Sequence, residues 1–412
     1  MKDVAQSRWQ TKPLGEVALI VNGGTPKSKV KEYWGGNVQW LTPKDMGQME
    51  GREIAETPRT ITEAGLAGSS ARLAPAGSVI LSTRAPIGHL AMNTVPMAFN
   101  QGCRGVVPSE GLDPVYLFHF LDMSRELLND LGTGTTFKEL SSTNLKSVKI
   151  PLPPIEEQQR IVAVLDEAFE GLARARAHAE ANLQNARELF ESALGALFER
   201  DETASIQTVG ALVDAGILHK PLDGNHGETH PKKADFVKSG VPFIMASDLK
   251  DGEVDQIGCH HITREQADSL RKGFAKDGDV LLSHKGTIGR TAILETDLDY
   301  VMLTPQVTYY RSTDQDKLSR EYLYFAFQSG PFQKQIKEEA GGGATRAYIG
   351  ITKQLDLKLP VTAMENQISL SKDARKIEAC AKRALADYEA KLEALDDLRQ
   401  SLLKKAFAGE LT

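Results

Sequence analysis

The feature that most constrains this chain is that it contains itself twice, at a period of about 200 residues. Gly77-Ser78-Val79-Ile80-Leu81-Ser82-Thr83-Arg84-Ala85-Pro86-Ile87-Gly88 lines up with Gly278-Asp279-Val280-Leu281-Leu282-Ser283-His284-Lys285-Gly286-Thr287-Ile288-Gly289. Leu, Ser, a basic residue, Ile and Gly return at the same offsets. Upstream, Val38-Gln39-Trp40-Leu41 and Asp45 match Val241-Pro242-Phe243-Ile244 and Asp248; downstream, Thr136, Thr143, Lys149 and Pro151 match Thr345, Thr352, Lys358 and Pro360. The correspondence then runs on through Gln158, Ser192, Leu194 and Phe198 to Gln367, Ser401, Leu403 and Phe407. A repeat of this length means one architecture built twice, so any account of half the chain must serve for both.

Each copy ends in a long apolar periodicity. In the first, Pro151-Leu152-Pro153-Pro154 precedes Ile155-Glu156-Glu157-Gln158-Gln159-Arg160. Proline fixes its own φ and pushes its predecessor toward extended geometry, so this run should stop a strand and let a helix start, with Pro154 in its first turn. Glu156 and Glu157 then favour the helix N-terminus electrostatically. From there Ile155, Val162, Leu165, Phe169, Leu172, Ala179, Leu183, Ala186, Phe190, Ala193 and Leu197 fall on the a and d positions of a heptad, with Arg176 the one charged intruder. A heptad held this long predicts a coiled coil of roughly 65 to 70 Å, whose seam needs a partner helix. A long helix within a globular bundle is the alternative. The second copy starts more weakly, at Met364-Glu365-Asn366-Gln367, and becomes clear at Ala381, Leu385, Tyr388, Leu392, Leu395, Leu402 and Ala406, with Arg399 interrupting. Two such helices can pair antiparallel and bury each other's seams, with the globular parts at opposite ends of a rod.

Before each helix the sequence reads as β-rich. Val79-Ile80-Leu81 and Val280-Leu281-Leu282 are short apolar runs flanked by glycine and proline, as strands between turns are. Minor helices are expected over 115–130 and 320–338, ended by Gly132-Thr133-Gly134 and Gly341-Gly342-Gly343. The expected class is therefore α+β, with two β-rich domains, two long antiparallel helices and pseudo-twofold internal symmetry. The expected boundaries are 1–150, 151–206, 207–358 and 359–412.

Charge sharpens this division. The formal net charge of the 412 residues is −6, a balance that taken whole is ill-suited to polyanions. By segment, residues 1–150 carry 16 basic against 14 acidic groups, residues 151–206 carry 5 against 11, residues 207–358 carry 19 against 21, and residues 359–412 carry 9 of each. The acidity sits in the first long helix, which would repel phosphates and suit a protein partner. No apolar run is long enough to span a bilayer, the opening residues lack an apolar signal core, and three scattered cysteines (Cys103, Cys259, Cys380) suggest no disulfide framework. A cytoplasmic protein is expected.

A search for reaction chemistry finds no phosphate-binding loop, no dinucleotide fingerprint, no base-flipping Asn-Pro-Pro-aromatic element and no nucleophile elbow. No catalytic residue and no cofactor are expected. His226 and His230, and the Cys259-His260-His261 cluster, lie in a context without a metal-binding helix, so no metal is expected either. Basic residues in turns say more. Lys27 and Lys29 follow Gly23-Gly24-Thr25-Pro26; Lys44, Lys232, Lys233 and Lys238 lie in other loops; Arg84 and Lys285 occupy equivalent places after a strand. Such groups reach phosphates, and Arg or Lys can also bond guanine in the major groove, although a solvated surface charge is the plainer reading of any one. Together with Lys138, Arg290 and Arg346, and leaving Lys238 aside, they form the candidate DNA contacts.

The proline-rich element at 151–161, the paired Leu-Ser-x-basic-x-x-Ile-Gly motifs at Leu81 and Leu282, and the ending Leu398-Arg399-Gln400-Ser401-Leu402-Leu403-Lys404-Lys405-Ala406-Phe407-Ala408-Gly409-Glu410-Leu411 resemble the specificity subunit of type I restriction-modification enzymes. The resemblance covers essentially the whole chain. It implies two target-recognition domains, each reading half of a split, asymmetric double-stranded DNA sequence, and paired helices that fix the distance between halves. It also implies docking of two adenine methyltransferase subunits, to which up to two restriction/translocase subunits can be added, and no catalysis by the chain itself. Pro153, Pro154, Glu156, Glu157, Gln158 and Glu170 are the expected docking residues. The second proline element is eroded to Lys358-Leu359-Pro360-Val361, which makes equal docking of the two copies less secure. A coiled-coil adaptor whose end domains bind proteins keeps the same architecture with a different role; a stand-alone nuclease or methyltransferase lacks its motifs.

Overall fold

A computed structural model of the chain describes residues 8–84, 86–134, 138–227, 230–341 and 348–411. The chain divides into two units, Met1–His178 with Lys391–Thr412, and Ala179–Ala390. Both are mixed α/β. Among the described residues no helix is long and apolar enough to cross a membrane.

In the first unit a five-stranded sheet has the order Ala18–Asn22, Cys103–Pro108, Val79–Ser82, Leu90–Asn93, Glu53–Ile54. A three-stranded sheet joins Thr60–Ile61, Trp34–Leu41 and Met97–Phe99, the last two in parallel. Val79–Ser82 is buried along its whole length, which is why its four residues are apolar or small. The second unit builds the same pairings from different residues. Val280–Ser283 lies between Val307–Tyr310 and Thr291–Ile293, and Val241–Ile244 pairs in parallel with Val301–Leu303.

The repeated Leu-Ser…Ile-Gly motif is explained by one turn. The Ser82 hydroxyl accepts from the His89 N–H at 2.8 Å, and the Ser283 hydroxyl accepts from the Arg290 N–H at 2.9 Å. The glycine N–H reaches back to the same serine's carbonyl, Gly88 to Ser82 and Gly289 to Ser283. Both glycines have positive φ, +108° and +90°, where a Cβ would be strained. The serine thus closes a turn that the glycine permits, and the basic residue between them is left to project.

The two long helices run Ile155–Glu199 and Met364–Ala408, 45 residues each. The first starts one residue later than the prolines suggest. The Pro154 carbonyl accepts from the Glu157 and Gln158 N–H groups, so Pro154 caps the helix and does not lie within its first turn. Within the first unit, Ile161 and Leu165 share a core with Leu403, Ala406 and Phe407, and Arg176 pairs with Asp396 at 2.6 Å. Within the second, Leu194 and Phe198 share a core with Ala374, and Arg187 faces Glu389 at 3.9 Å. In each unit the two helix segments therefore run in opposite senses. Phe407 packs against Tyr116 and Phe120 at ring distances of 4.8 and 5.5 Å, which ties helix to domain.

Each expected minor helix is two. The first breaks at Ser124 between Pro114–Met123 and Arg125–Asp130. The second breaks at Ser329 between Arg320–Gln328 and Gly330–Glu339, because Pro331 lacks the N–H that would continue the ladder. Their apolar spacing continues across the breaks, which concealed them.

Candidate nucleic-acid interface

In the first unit the candidate cations gather around the turn at Asn100, Gln101 and Gly102. The Thr83 N–H donates to the Gly102 carbonyl at 2.7 Å, holding Arg84 beside the turn. A Cβ on Gly102 would lie 3.6 Å from the Arg84 Cβ and 3.7 Å from Pro43, the neighbour of Lys44. From the other side comes the loop 23–29. A Cβ on Gly23 would stand 1.9 Å from the Asn100 carbonyl oxygen, so only glycine allows this approach. The Thr25 hydroxyl donates to the Gln101 side-chain carbonyl. Two indoles fix the loop's path: Trp40 Nε1 donates to the Gly24 carbonyl at 2.9 Å and Trp34 Nε1 to the Lys27 carbonyl at 3.3 Å. Lys27, Lys29 and Lys44 are exposed on this frame.

Arg84 is only partly free to meet a phosphate. Its guanidinium lies 2.9 Å from Glu139, which Arg104 also approaches at 3.7 Å. Lys138 is exposed next to that carboxylate. Glu139 therefore offsets part of the positive potential of the patch.

The second unit repeats the frame with other chemistry. His284 N–H donates to the Gln306 carbonyl at 2.9 Å, and Gln306 Oε1 accepts from Ala246 N–H at 3.4 Å. Arg290 reaches the Ala246 carbonyl at 3.3 Å while remaining exposed. Lys285 is exposed, with its ammonium 5.8 Å from the ring centre of Tyr348. Lys232 and Lys233 are exposed near the short turn Lys233–Asp235, and no hydrogen bond or ion pair among the described residues joins them to Lys285 or Arg290. Arg346 lies outside the described residues, as do Thr136 and Thr345.

The histidines are committed elsewhere. His226 and Lys272 both contact the buried Asp223 carboxylate. Burial alone would raise that carboxyl, yet Lys272 and His226 hold it below the ordinary carboxylate range. His230 Nδ1 instead faces the Asn225 carbonyl at 3.1 Å. Among the described residues no group of three His, Cys, Asp or Glu is arranged to hold a metal ion.

Two of the expected docking residues need correction. Pro153 and Gln158 are buried, Gln158 completely, so neither offers a surface. Glu157 is mostly covered and contacts Arg8 at 3.0 Å and Arg160 at 2.7 Å. Pro154, Glu156 and Glu170 are exposed. Sequence reasoning also missed the two indole pins, the Glu139 clamp and Tyr348. The tryptophans had a signal, since Trp40 lies within the first copy of the repeated stretch 38–41 and Trp34 four residues before it; the others are visible only once the loops meet.

The family described as the type I restriction modification DNA specificity domain matches residues 6–178. The type I restriction enzyme MjaIX specificity subunit of Methanocaldococcus jannaschii is 37% identical over 186 residues, 45% of this chain and 43% of that protein. The EcoR124I/EcoR124II specificity subunit of Escherichia coli is 36% identical over 167 residues, 39% of this chain and 40% of that protein. The matched region thus spans less than half the length of either relative. In a solved structure concerned with complex assembly and conformational transition of the type I R-M system, one chain superposes with a TM-score of 0.73 over 98% of both chains. At 20% identity that likeness is one of fold.

Proposed function

We propose, for a chain whose residues 6–178 match the type I restriction modification DNA specificity domain, that its two units each read one half of a bipartite, asymmetric double-stranded DNA site. One observation carries this reading. The same turn, closed by Ser82 and Gly88 in one unit and by Ser283 and Gly289 in the other, projects a basic residue from each, while the surrounding loops differ. A common frame with different side chains is what two readers of different half-sites require.

The 45-residue helices would then pair as a coiled coil and act as the spacer, giving the chain its pseudo-twofold form with domains at 1–150 and 207–358. Two readers on a stiff spacer gain affinity from each other only when both half-sites stand at the right separation and phase. The acidic first helix, with Pro154, Glu156 and Glu170 exposed, suits the docking of methyltransferase subunits, and restriction subunits would join that assembly. The chain itself contributes recognition and no catalysis.

The test is co-expression with an adenine methyltransferase subunit of the type I class, followed by single-molecule sequencing of methylated adenines. A split motif with two unlike halves is expected. Methylation without a split motif refutes the reading. Glu156→Lys with Glu170→Lys should reduce co-purification of the methyltransferase and leave the half-sites unaltered.

A further inference from the structure

Gln158 and Gln367 each stand seven residues after the repeat-equivalent prolines of their junctions, Pro151 and Pro360, and each is completely buried. Each spends its whole side-chain amide in the same way. Gln158 Oε1 accepts from the Asp113 N–H at 2.9 Å, and its Nε2 donates to the Gly111 and Pro153 carbonyls, both at 2.9 Å. Gln367 Oε1 accepts from the Ser319 N–H at 2.9 Å, and its Nε2 donates to the Lys317 and Thr362 carbonyls, both at 2.8 Å.

The partners are equivalent too. Asp113 and Ser319 are the N-caps of Pro114–Met123 and Arg320–Gln328. Three residues into each of those helices, a buried tyrosine donates back to the junction: Tyr116 to the Pro151 carbonyl at 3.0 Å, Tyr322 to the Pro360 carbonyl at 3.1 Å. Four hydrogen bonds therefore join three segments in each unit: the start of the long helix, the start of the domain helix, and the strand that leaves the domain. Turning the long helix about its axis relative to its domain would break several of them together.

We propose that Gln158 and Gln367 are positioning residues that fix the angular phase at which each reader is held on its helix, and so set how strictly the complex measures the spacer between half-sites. This rests on the bipartite reading above. The residue type is demanded by the contacts: two carbonyls and one N–H need two donors and one acceptor on one short arm, which an amide supplies and a carboxylate does not. Gln158→Glu keeps the shape and turns a negative oxygen toward two carbonyls; Gln158→Leu keeps the volume and leaves three backbone groups unpaired.

The experiment uses the full chain in complex with its methyltransferase and a library in which both half-sites are constant and the spacer varies by one or two base pairs. Wild-type complex should methylate one spacer length strongly. Gln158→Glu and Gln158→Leu should lower the preference for that length over its neighbours by roughly tenfold, as loosening a positioning group does, with the half-site bases unchanged. Gln158→Leu combined with Gln367→Leu should lower it further. Where these variants fail to fold, Tyr116→Phe, which deletes one of the four bonds, should shift the preference in the same direction by a smaller factor. An unchanged spacer preference in a folded, assembled variant overturns the proposal, as does a change in half-site bases without one in spacing. Wild-type complex that methylates no split site would overturn the bipartite reading itself, a result distinct from either.

Discussion

Arg399 looks from the sequence like a flaw in the second apolar seam, and the structure gives it a partner whose loss can be measured. Its guanidinium lies 2.6 Å from Asp122 and 4.6 Å above the ring of Phe169. Asp122 has a side chain only 1% exposed, and Arg125 meets its other oxygen at 2.7 Å. Breaking a buried pair by removing one partner costs about 3 to 5 kcal/mol, because the remaining charge stays desolvated. Here Arg125 remains and Arg399 is 36% exposed, so about 2 kcal/mol is the better figure, to which the ring contact adds about 0.5 kcal/mol. Arg399→Met, which keeps the apolar stem, should thus destabilise the first unit by about 2 to 3 kcal/mol. Asp122→Asn on that background removes the stranded charge and should recover about half of the loss. All three tryptophans, Trp9, Trp34 and Trp40, belong to the first unit, so tryptophan fluorescence during urea unfolding of the whole chain follows that unit selectively. At a slope of about 2 kcal/mol per molar the midpoint should fall by about 1 M. An unmoved midpoint, or a double variant no more stable than Arg399→Met alone, would refute the reasoning.

The same fluorescence tests a pH dependence. Burial holds His119 below its ordinary 6.5 against the opposing pull of Asp166, and burial with Arg125 holds His89 down as well. The unfolded chain takes up protons that these rings refuse when folded, so stability present above about pH 6.5 is lost as the pH falls below it; His119→Gln should flatten that loss, and an equal slope with and without the ring would contradict it. For DNA, Arg84→Ala and Lys285→Ala should each weaken binding and reduce the salt slope by about one. Glu139→Gln, by releasing Arg84 and Arg104, should instead strengthen binding at the first half-site; filter binding across a salt series reads all three, and slopes equal to wild type would remove these residues from the interface.

What could be read from the sequence followed a simple rule: patterns that repeat along the chain were legible, and contacts made across it were not. The heptad seam marked two helices whose a and d residues are buried or half-buried along the first helix, Arg176 excepted. It could not say why Arg176 and Arg399 are tolerated, because the answers, Asp396 and Asp122, lie far away in sequence. The duplication located Arg84 and Lys285 after their strands, but the loops around them converge through Gly23, Trp34 and Trp40 in one unit and through Gln306 and Tyr348 in the other. Gln158 shows the limit most clearly. A glutamine in the first turns of a polar helix start reads as a surface group, since glutamine is mostly exposed. Its recurrence as Gln367, in a junction that had lost the proline pair and a glutamate, was the better clue. A residue that persists where its neighbours have drifted is held by something they do not share, and here that is a set of three backbone groups which only an amide can satisfy.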